Sequence, residues 1–236
     1  GDDLFVTNTE RLQRGIDEGW IRPAVTERRV GAAPRHRSAR RTLDVLDEAG
    51  VGHAGMARSA EEAANPRIYE VGSGANPVQL GHLSYTYSFN GFVLPADQPW
   101  LANLIDTDRI LNDAAALKAR GAEVAVVSLQ WGNEYQQAPT EAQRNLAQVL
   151  LGSPHVDLII GTHVHVIQPV ERINGKVVAY GLGNFLSNQT ERPSTQDGVI
   201  LHLELTERTP GTFDVTTMRY TPTWVEHPTY TIRRVS

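Results

Sequence analysis

His163 and His165, separated by one residue, are the strongest chemical signal in the chain. They stand in Gly161-Thr162-His163-Val164-His165-Val166, directly after the apolar run Val156-Asp157-Leu158-Ile159-Ile160. An apolar run ended by glycine reads as a buried strand that stops at a loop. In an extended segment residues i and i+2 project to one side, so both imidazoles would reach a single ion. Imidazole is a good ligand for transition-metal ions, and open α/β folds gather their chemistry at the carboxyl ends of strands. The competing reading is a pair of solvated or internally satisfied loop histidines.

The elements that must position this pair are legible from periodicity. A helix is expected from Ser38, with Leu43, Val45, Leu46 and Ala49 apolar and Gly50 as its stop. Val51 to Ala54 reads as a short strand, and Ser59 opens a short helix through a capping-box pattern. Ile68 to Val71 and Val78 to Tyr85 read as paired strands, followed by a long loop over 88–103. Asp106 to Arg120 is an amphipathic helix, with Ile110, Leu111, Ala114 and Leu117 on one stripe. Glu123 to Leu129 is a buried strand, Thr140 to Leu151 a helix with a capping box at Thr140 and Gln143, and Val156 to Ile160 the next strand. These two strands should be parallel neighbours joined by a right-handed crossover. Val166 to Ile173 and Lys176 to Tyr180 form a hairpin across Asn174-Gly175. Val199 to Leu205 and Phe213 to Tyr220 pair in a second sheet. The whole reads as a layered α/β chain in a single domain.

Bulk properties narrow the function. The chain has 236 residues and no cysteine, which excludes disulfides, thiolate metal sites and a cysteine nucleophile. The net charge of −5 argues against a general nucleic-acid binder. No apolar run is long enough for a transmembrane segment and no signal-peptide pattern is expected, which leaves the cytoplasm and the cell surface both open. Of the 22 basic residues only Lys118 and Lys176 are lysines. Seven arginines fall between Arg22 and Arg41, and the stretch 20–38, which holds five of them, is expected to be irregular, exposed and peripheral.

Several separated segments carry a family resemblance. They are Arg41-Thr42-Leu43-Asp44-Val45-Leu46-Asp47-Glu48-Ala49-Gly50, Leu83-Ser84-Tyr85-Thr86-Tyr87, and Val126-Val127-Ser128-Leu129-Gln130-Trp131-Gly132-Asn133-Glu134-Tyr135. The histidine segment, Gln168-Pro169-Val170-Glu171 and Tyr180-Gly181-Leu182-Gly183-Asn184-Phe185 follow in order. This arrangement resembles the CapA family, named for poly-gamma-glutamate capsule synthesis. The resemblance implies a calcineurin-like metallophosphatase fold, an α/β/β/α layering. On it, 39–205 is the family-like core, 1–38 is divergent or irregular, and 206–236 supplies C-terminal strands.

The resemblance also implies a divalent metal ion (Mn, Zn, Fe, Mg or Ca) as cofactor, with Asp2 in the Gly1-Asp2 pair joining His163 and His165 as a ligand. The chain departs from the family pattern in lacking its Asn-Leu-Glu and Asn-His segments. A long stretch of the family domain is absent, with residues 4–38 in its place, so the domain is expected to be incomplete on its N-terminal side. Gln130 also stands where the family often has histidine. Glutamine is a poor transition-metal ligand beside imidazole.

The candidate site is therefore His163, Glu134 and Asn184 as catalytic groups, Gln130 and Trp131 as substrate contacts, and Asp2, His163 and His165 as metal ligands. Glu134 reads equally as a carboxylate on the pocket rim, Asn184 as a turn cap, and Trp131 as a packing residue. The expected activity is metal-dependent hydrolysis of a phosphoester or of an anionic small molecule, peptide or polymer. The rivals are a metal-dependent peptide epimerase and a non-catalytic copy that binds a polymer or partner.

Overall fold

The computed structural model describes residues 36–72, 77–91 and 93–235. Expectations placed on Asp2 and on the arginine-rich stretch up to residue 35 lie outside these.

Helix α1 (His36–Glu48) ends in paired backbone bonds, Gly50 N–H to Asp47 and Val51 N–H to Leu46, with Gly50 at φ 66°. Glycine there avoids the cost that a side chain would incur in the left-handed region. Ser38 lies inside the helix, not at its cap. Val51 to Ala54 forms no strand and pairs with no strand among the described residues. Ser59 caps the short helix α2 (Ala60–Ala63) by accepting the Glu62 N–H.

A six-stranded sheet follows, with β1 (Ile68–Val71), β2 (Val78–Thr86), β3 (Val124–Gln130), β4 (Leu158–Thr162), β5 (Val170–Ile173) and β6 (Lys176–Ala179). The spatial order is β1-β2-β3-β4-β6-β5. The four central strands are parallel, and β1 and β5 are antiparallel edges. The expected parallel pairing of the strands around residues 124–130 and 158–162 is present. Strand β4 starts two residues later than expected; Asp157, just before it, donates its N–H to the Ala125 carbonyl and accepts the Ala125 N–H on its carboxylate.

Both faces of the central strands are apolar, as in covered parallel sheets. On one face Ala125, Val127, Leu129, Ile159 and Val178 pack against Ile110, Ala114 and Leu117 of α3 (Thr107–Ala119) and Ala147, Leu150 and Leu151 of α4 (Glu141–Gly152). On the other face Leu80, Val124, Val126, Leu158 and Val177 meet Leu203 and Val215. Those two residues belong to a second, antiparallel sheet of β7 (Asp197–Thr209), β8 (Thr212–Glu226) and β9 (Thr231–Arg234). The fold is the expected layered α/β class, helices on one face and a second sheet on the other. Strands β7 and β8 extend well past the apolar segments that announced them, since backbone pairing continues through exposed polar residues to the Pro210-Gly211 tip.

Register places the site. Thr86, Gln130 and Thr162 are cross-strand partners in adjacent pairs, so β2, β3 and β4 all end on one line. The loops that follow each strand must emerge side by side.

Candidate functional site

Three residues just past that line, Tyr87, Trp131 and His163, take different directions. The Tyr87 and His163 rings lie 4.6 Å apart. Trp131 turns inward. It is only 3 % exposed, stacks on Tyr180 at 5.7 Å, and donates its indole N–H to the Tyr180 carbonyl at 3.0 Å. This corrects its place among the substrate contacts: its buried ring is a packing element. Gly161 is required beneath it, because a Cβ there would stand 1.9 Å from the Tyr180 carbonyl oxygen and 2.4 Å from the Trp131 indole nitrogen.

The two histidines converge, though not through extended geometry. Past β4 the chain adopts left-handed backbone at His163 (φ 93°) and His165 (φ 61°). The imidazole centroids are 6.2 Å apart and tilted by 49°. Tyr135 is also left-handed (φ 65°); its N–H donates to the Val164 carbonyl at 2.7 Å, and its ring stacks on His165 at 5.9 Å. Three non-glycine residues in this region at one place mark stored backbone strain, a feature that clusters at functional sites.

Asn184 fixes His165. The turn before it needs Gly183 (φ 73°), where a Cβ would come within 2.3 Å of the Asp197 carbonyl. The Asn184 side-chain NH₂ donates to the Thr195 carbonyl at 2.8 Å. A carbonyl only accepts, so Oδ1 is the atom facing His165 Nδ1, 3.0 Å away. An amide oxygen only accepts as well, so Nδ1 carries the proton and Nε2 holds the lone pair. Metal-ligating histidines are oriented in this manner.

The remaining candidates are looser. Glu134 Oε1 lies 3.8 Å from His165 Nε2, beyond hydrogen-bonding reach, with its side chain 46 % exposed. The Gln130 side-chain amide is exposed and lies 2.7 Å from the Thr86 hydroxyl, which also faces the Ser88 carbonyl at 2.8 Å. Burial holds the His163 imidazole below the usual histidine range; the Glu134 charge opposes this and His165 adds to it. Tyr87 and Arg192, whose guanidinium carbon sits 4.7 Å above the Tyr135 ring, are contacts that sequence reasoning did not select. Tyr87 stood at the end of a resembling segment, but Arg192 had no signal apart from its charge.

Residues 35–189 match the family described as bacterial capsule synthesis protein PGA_cap. The chain belongs to this family. It is 30% identical to the PGA biosynthesis protein CapA of Bacillus subtilis (strain 168) over 186 residues, which are 75% of this chain and 43% of that protein. It is 26% identical over 178 residues to the capsule biosynthesis protein CapA of Bacillus anthracis, covering 74% and 42%. The chain thus spans less than half the length of the curated relatives it matches. Among solved structures, the calcineurin-like phosphoesterase YfkN from Bacillus subtilis superposes with a TM-score of 0.41 at 18% identity, covering 66% of this chain and 49% of that one.

The PGA_cap resemblance implied a metal, and the donor chemistry can be tested against it. Two imidazoles, one with its tautomer fixed, suit a borderline divalent ion. Among the described residues, however, no group of three His, Cys, Asp or Glu side chains stands close enough to hold one. The pair fits as part of a ligand set, and Asp2, its expected complement, lies outside the described residues.

Proposed function

We propose that this PGA_cap chain is a metal-dependent hydrolase of capsule biosynthesis, acting on a phosphoester or on an anionic peptide or polymer. The observation that carries the reading is the relay from the Thr195 carbonyl through Asn184 to His165 Nδ1. A solvated loop histidine has no need of a held tautomer. His163, His165 and Asp2 would hold the ion, and an imidazole pair favours manganese, iron or zinc over magnesium or calcium. Such an ion supplies Lewis acidity and lowers the pKa of water toward neutrality. The Glu134 carboxylate, exposed beside His165, accepts a proton during the reaction. The exposed Gln130 side-chain amide contacts the anionic substrate.

A second reading, a non-catalytic binding copy, is favoured by the missing third ligand among the described residues. One experiment separates the two. Metal content and hydrolysis of p-nitrophenyl phosphate and of an oligo-glutamate peptide are measured for the wild type and for His163→Ala/His165→Ala. The hydrolase reading expects stoichiometric metal and turnover in the wild type and loss of both in the variant. Equal metal content in the two proteins would reduce the pair to a structural role.

A further inference from the structure

Gln168 opens the Gln168-Pro169-Val170-Glu171 segment and is only 2 % exposed. We propose that Gln168 is a positioning residue for the candidate site: through a buried amide relay it holds the 131–136 loop against the histidine turn, so that Tyr135 and Glu134 face His165. This role rests on the hydrolase reading only for its effect on turnover; the effect on the imidazole does not need it.

The relay has one direction. The Thr140 backbone N–H donates to Gln143 Oε1 at 2.9 Å, which leaves the Gln143 NH₂ to donate to Gln168 Oε1 at 3.0 Å. The Gln168 NH₂ in turn donates to the Gln136 carbonyl at 2.7 Å. A backbone N–H at one end and a backbone carbonyl at the other fix both amide orientations. Gln143 is as buried as Gln168. The relay starts at the capped end of α4 and finishes in the exposed loop. Gln168 is itself rooted, since its backbone N–H donates to the Gly181 carbonyl at 2.9 Å.

The loop is laced to the histidine turn at three points. The Trp131 N–H donates to the Thr162 carbonyl at 3.3 Å, the Tyr135 N–H to the Val164 carbonyl at 2.7 Å, and the Gln136 carbonyl accepts from Gln168. His163 and His165 lie between these anchors. Inside the loop the bonds are long, 3.4 Å from the Gln136 N–H to the Asn133 carbonyl and 3.2 Å between the two side-chain amides. The loop also lies directly on the relay: a Cβ at Gly132 (φ 84°) would stand 2.6 Å from Gln143 Oε1. Packing alone would be served by methionine. Burying an amide costs free energy unless it is paired, and a paired relay specifies one arrangement of the elements it joins.

The test reads the imidazole directly. The His165 ring-proton signals, assigned with His165→Gln, are recorded by NMR on the full chain without added metal. Tyr135→Leu removes the stacked ring and defines the displacement of these signals when the contact is gone. Gln168→Met keeps the volume and loses both amide bonds; it should displace the His165 signals in the same direction. Gln168→Glu keeps an acceptor for Gln143 but sets an oxygen against the Gln136 carbonyl. It should displace the signals too, and it carries the test where Gln168→Met does not fold. Leu117→Ala, a core deletion in α3, should lower the melting temperature and leave the signals in place. In turnover, Gln168→Met should lower kcat about 10–100-fold with KM and metal content kept, the cost of a displacement of about 1 Å. A wild type without turnover defeats the hydrolase reading alone and leaves the imidazole signals to judge the relay. Unmoved His165 signals in the Gln168 variants, or an equal displacement in Leu117→Ala, overturn the proposal, as does an unchanged kcat where the wild type turns over.

Discussion

Removing the Asn184 side chain is the sharpest probe of the His165 relay. Asn184→Ala deletes two hydrogen bonds, at 3.0 Å to His165 Nδ1 and at 2.8 Å to the Thr195 carbonyl. His165 is part-open to water, so its bond contributes about 1 kcal/mol net, whereas Thr195 is only 1 % exposed and leaving its carbonyl unpaired costs about 1–3 kcal/mol. The expected total is about 2–4 kcal/mol, and a melting temperature lower by about 2–4 °C for each kcal/mol in a chain of this size. The functional effect should be larger. Without Oδ1 the imidazole is free to exchange tautomers and to rotate, and loss of such a contact costs about 10–100-fold in metal affinity. Asn184→Asp keeps an acceptor for Nδ1–H but sets a carboxylate against the Thr195 carbonyl. It should lose stability and keep most of the affinity. Manganese and zinc titrations with thermal melts on the same preparations separate the two effects. If Asn184→Ala binds metal as tightly as the wild type, the tautomer argument is wrong, whatever happens to the melting temperature.

Gly161→Ala should lose at least about 3 kcal/mol in urea unfolding, because the added carbon meets fixed backbone at Tyr180 and overpacking against backbone has no flexible side chain to displace; a loss under about 1 kcal/mol would contradict the packing described. At His163 the Ala and Gly variants both lose the ring, so their difference isolates backbone strain: at φ 93° glycine should be more stable than alanine by about 1–3 kcal/mol, and equal stability would remove the strain. His82, hydrogen-bonded to Ser128 at 2.8 Å, is held below the usual histidine range by burial. Its folded pKa lies below its unfolded value near 6.5, so its contribution is fully present above that pH and is lost as pH falls below it. His82→Gln should remove up to about 1.4 kcal/mol per pH unit from the acid-side slope of stability, and an unchanged slope in equilibrium unfolding between neutral and mildly acid pH would count against it.

How much could be read from sequence follows from which forces act locally. Capping at Thr140 and Gln143 uses side chains three residues apart, and the structure has both halves of that box. The Asn174-Gly175 hairpin needs only two residues that tolerate positive φ, at 52° and 81°. Strands β3 and β4 are apolar on both faces, so they stand out in any window. By contrast β9 consists of Thr231, Ile232, Arg233 and Arg234. It is a strand only because β8 offers an edge, and no periodicity announces that. Gln143 was legible as a cap, but not as the buried donor to Gln168, a partner 25 residues away.

The site shows the same division more sharply. Proximity of His163 and His165 was expected from alternation along a strand, yet the strand ends at Thr162 and both residues are left-handed. Proximity is therefore a product of the turn, and the turn is maintained at a cost. Histidine gains nothing in that backbone region that asparagine or glycine would not supply with less strain. The compensating contacts are all specific to rings and amides: Tyr87 on His163, Tyr135 on His165, Asn184 on Nδ1. Each would be lost with a glycine, and none is needed to close the sheet, whose register is already fixed by Thr86, Gln130 and Thr162. Strain carried by residues that the fold does not require, and supported by partners that orient one imidazole nitrogen, is what a ligand-holding loop needs and a plain connecting loop does not.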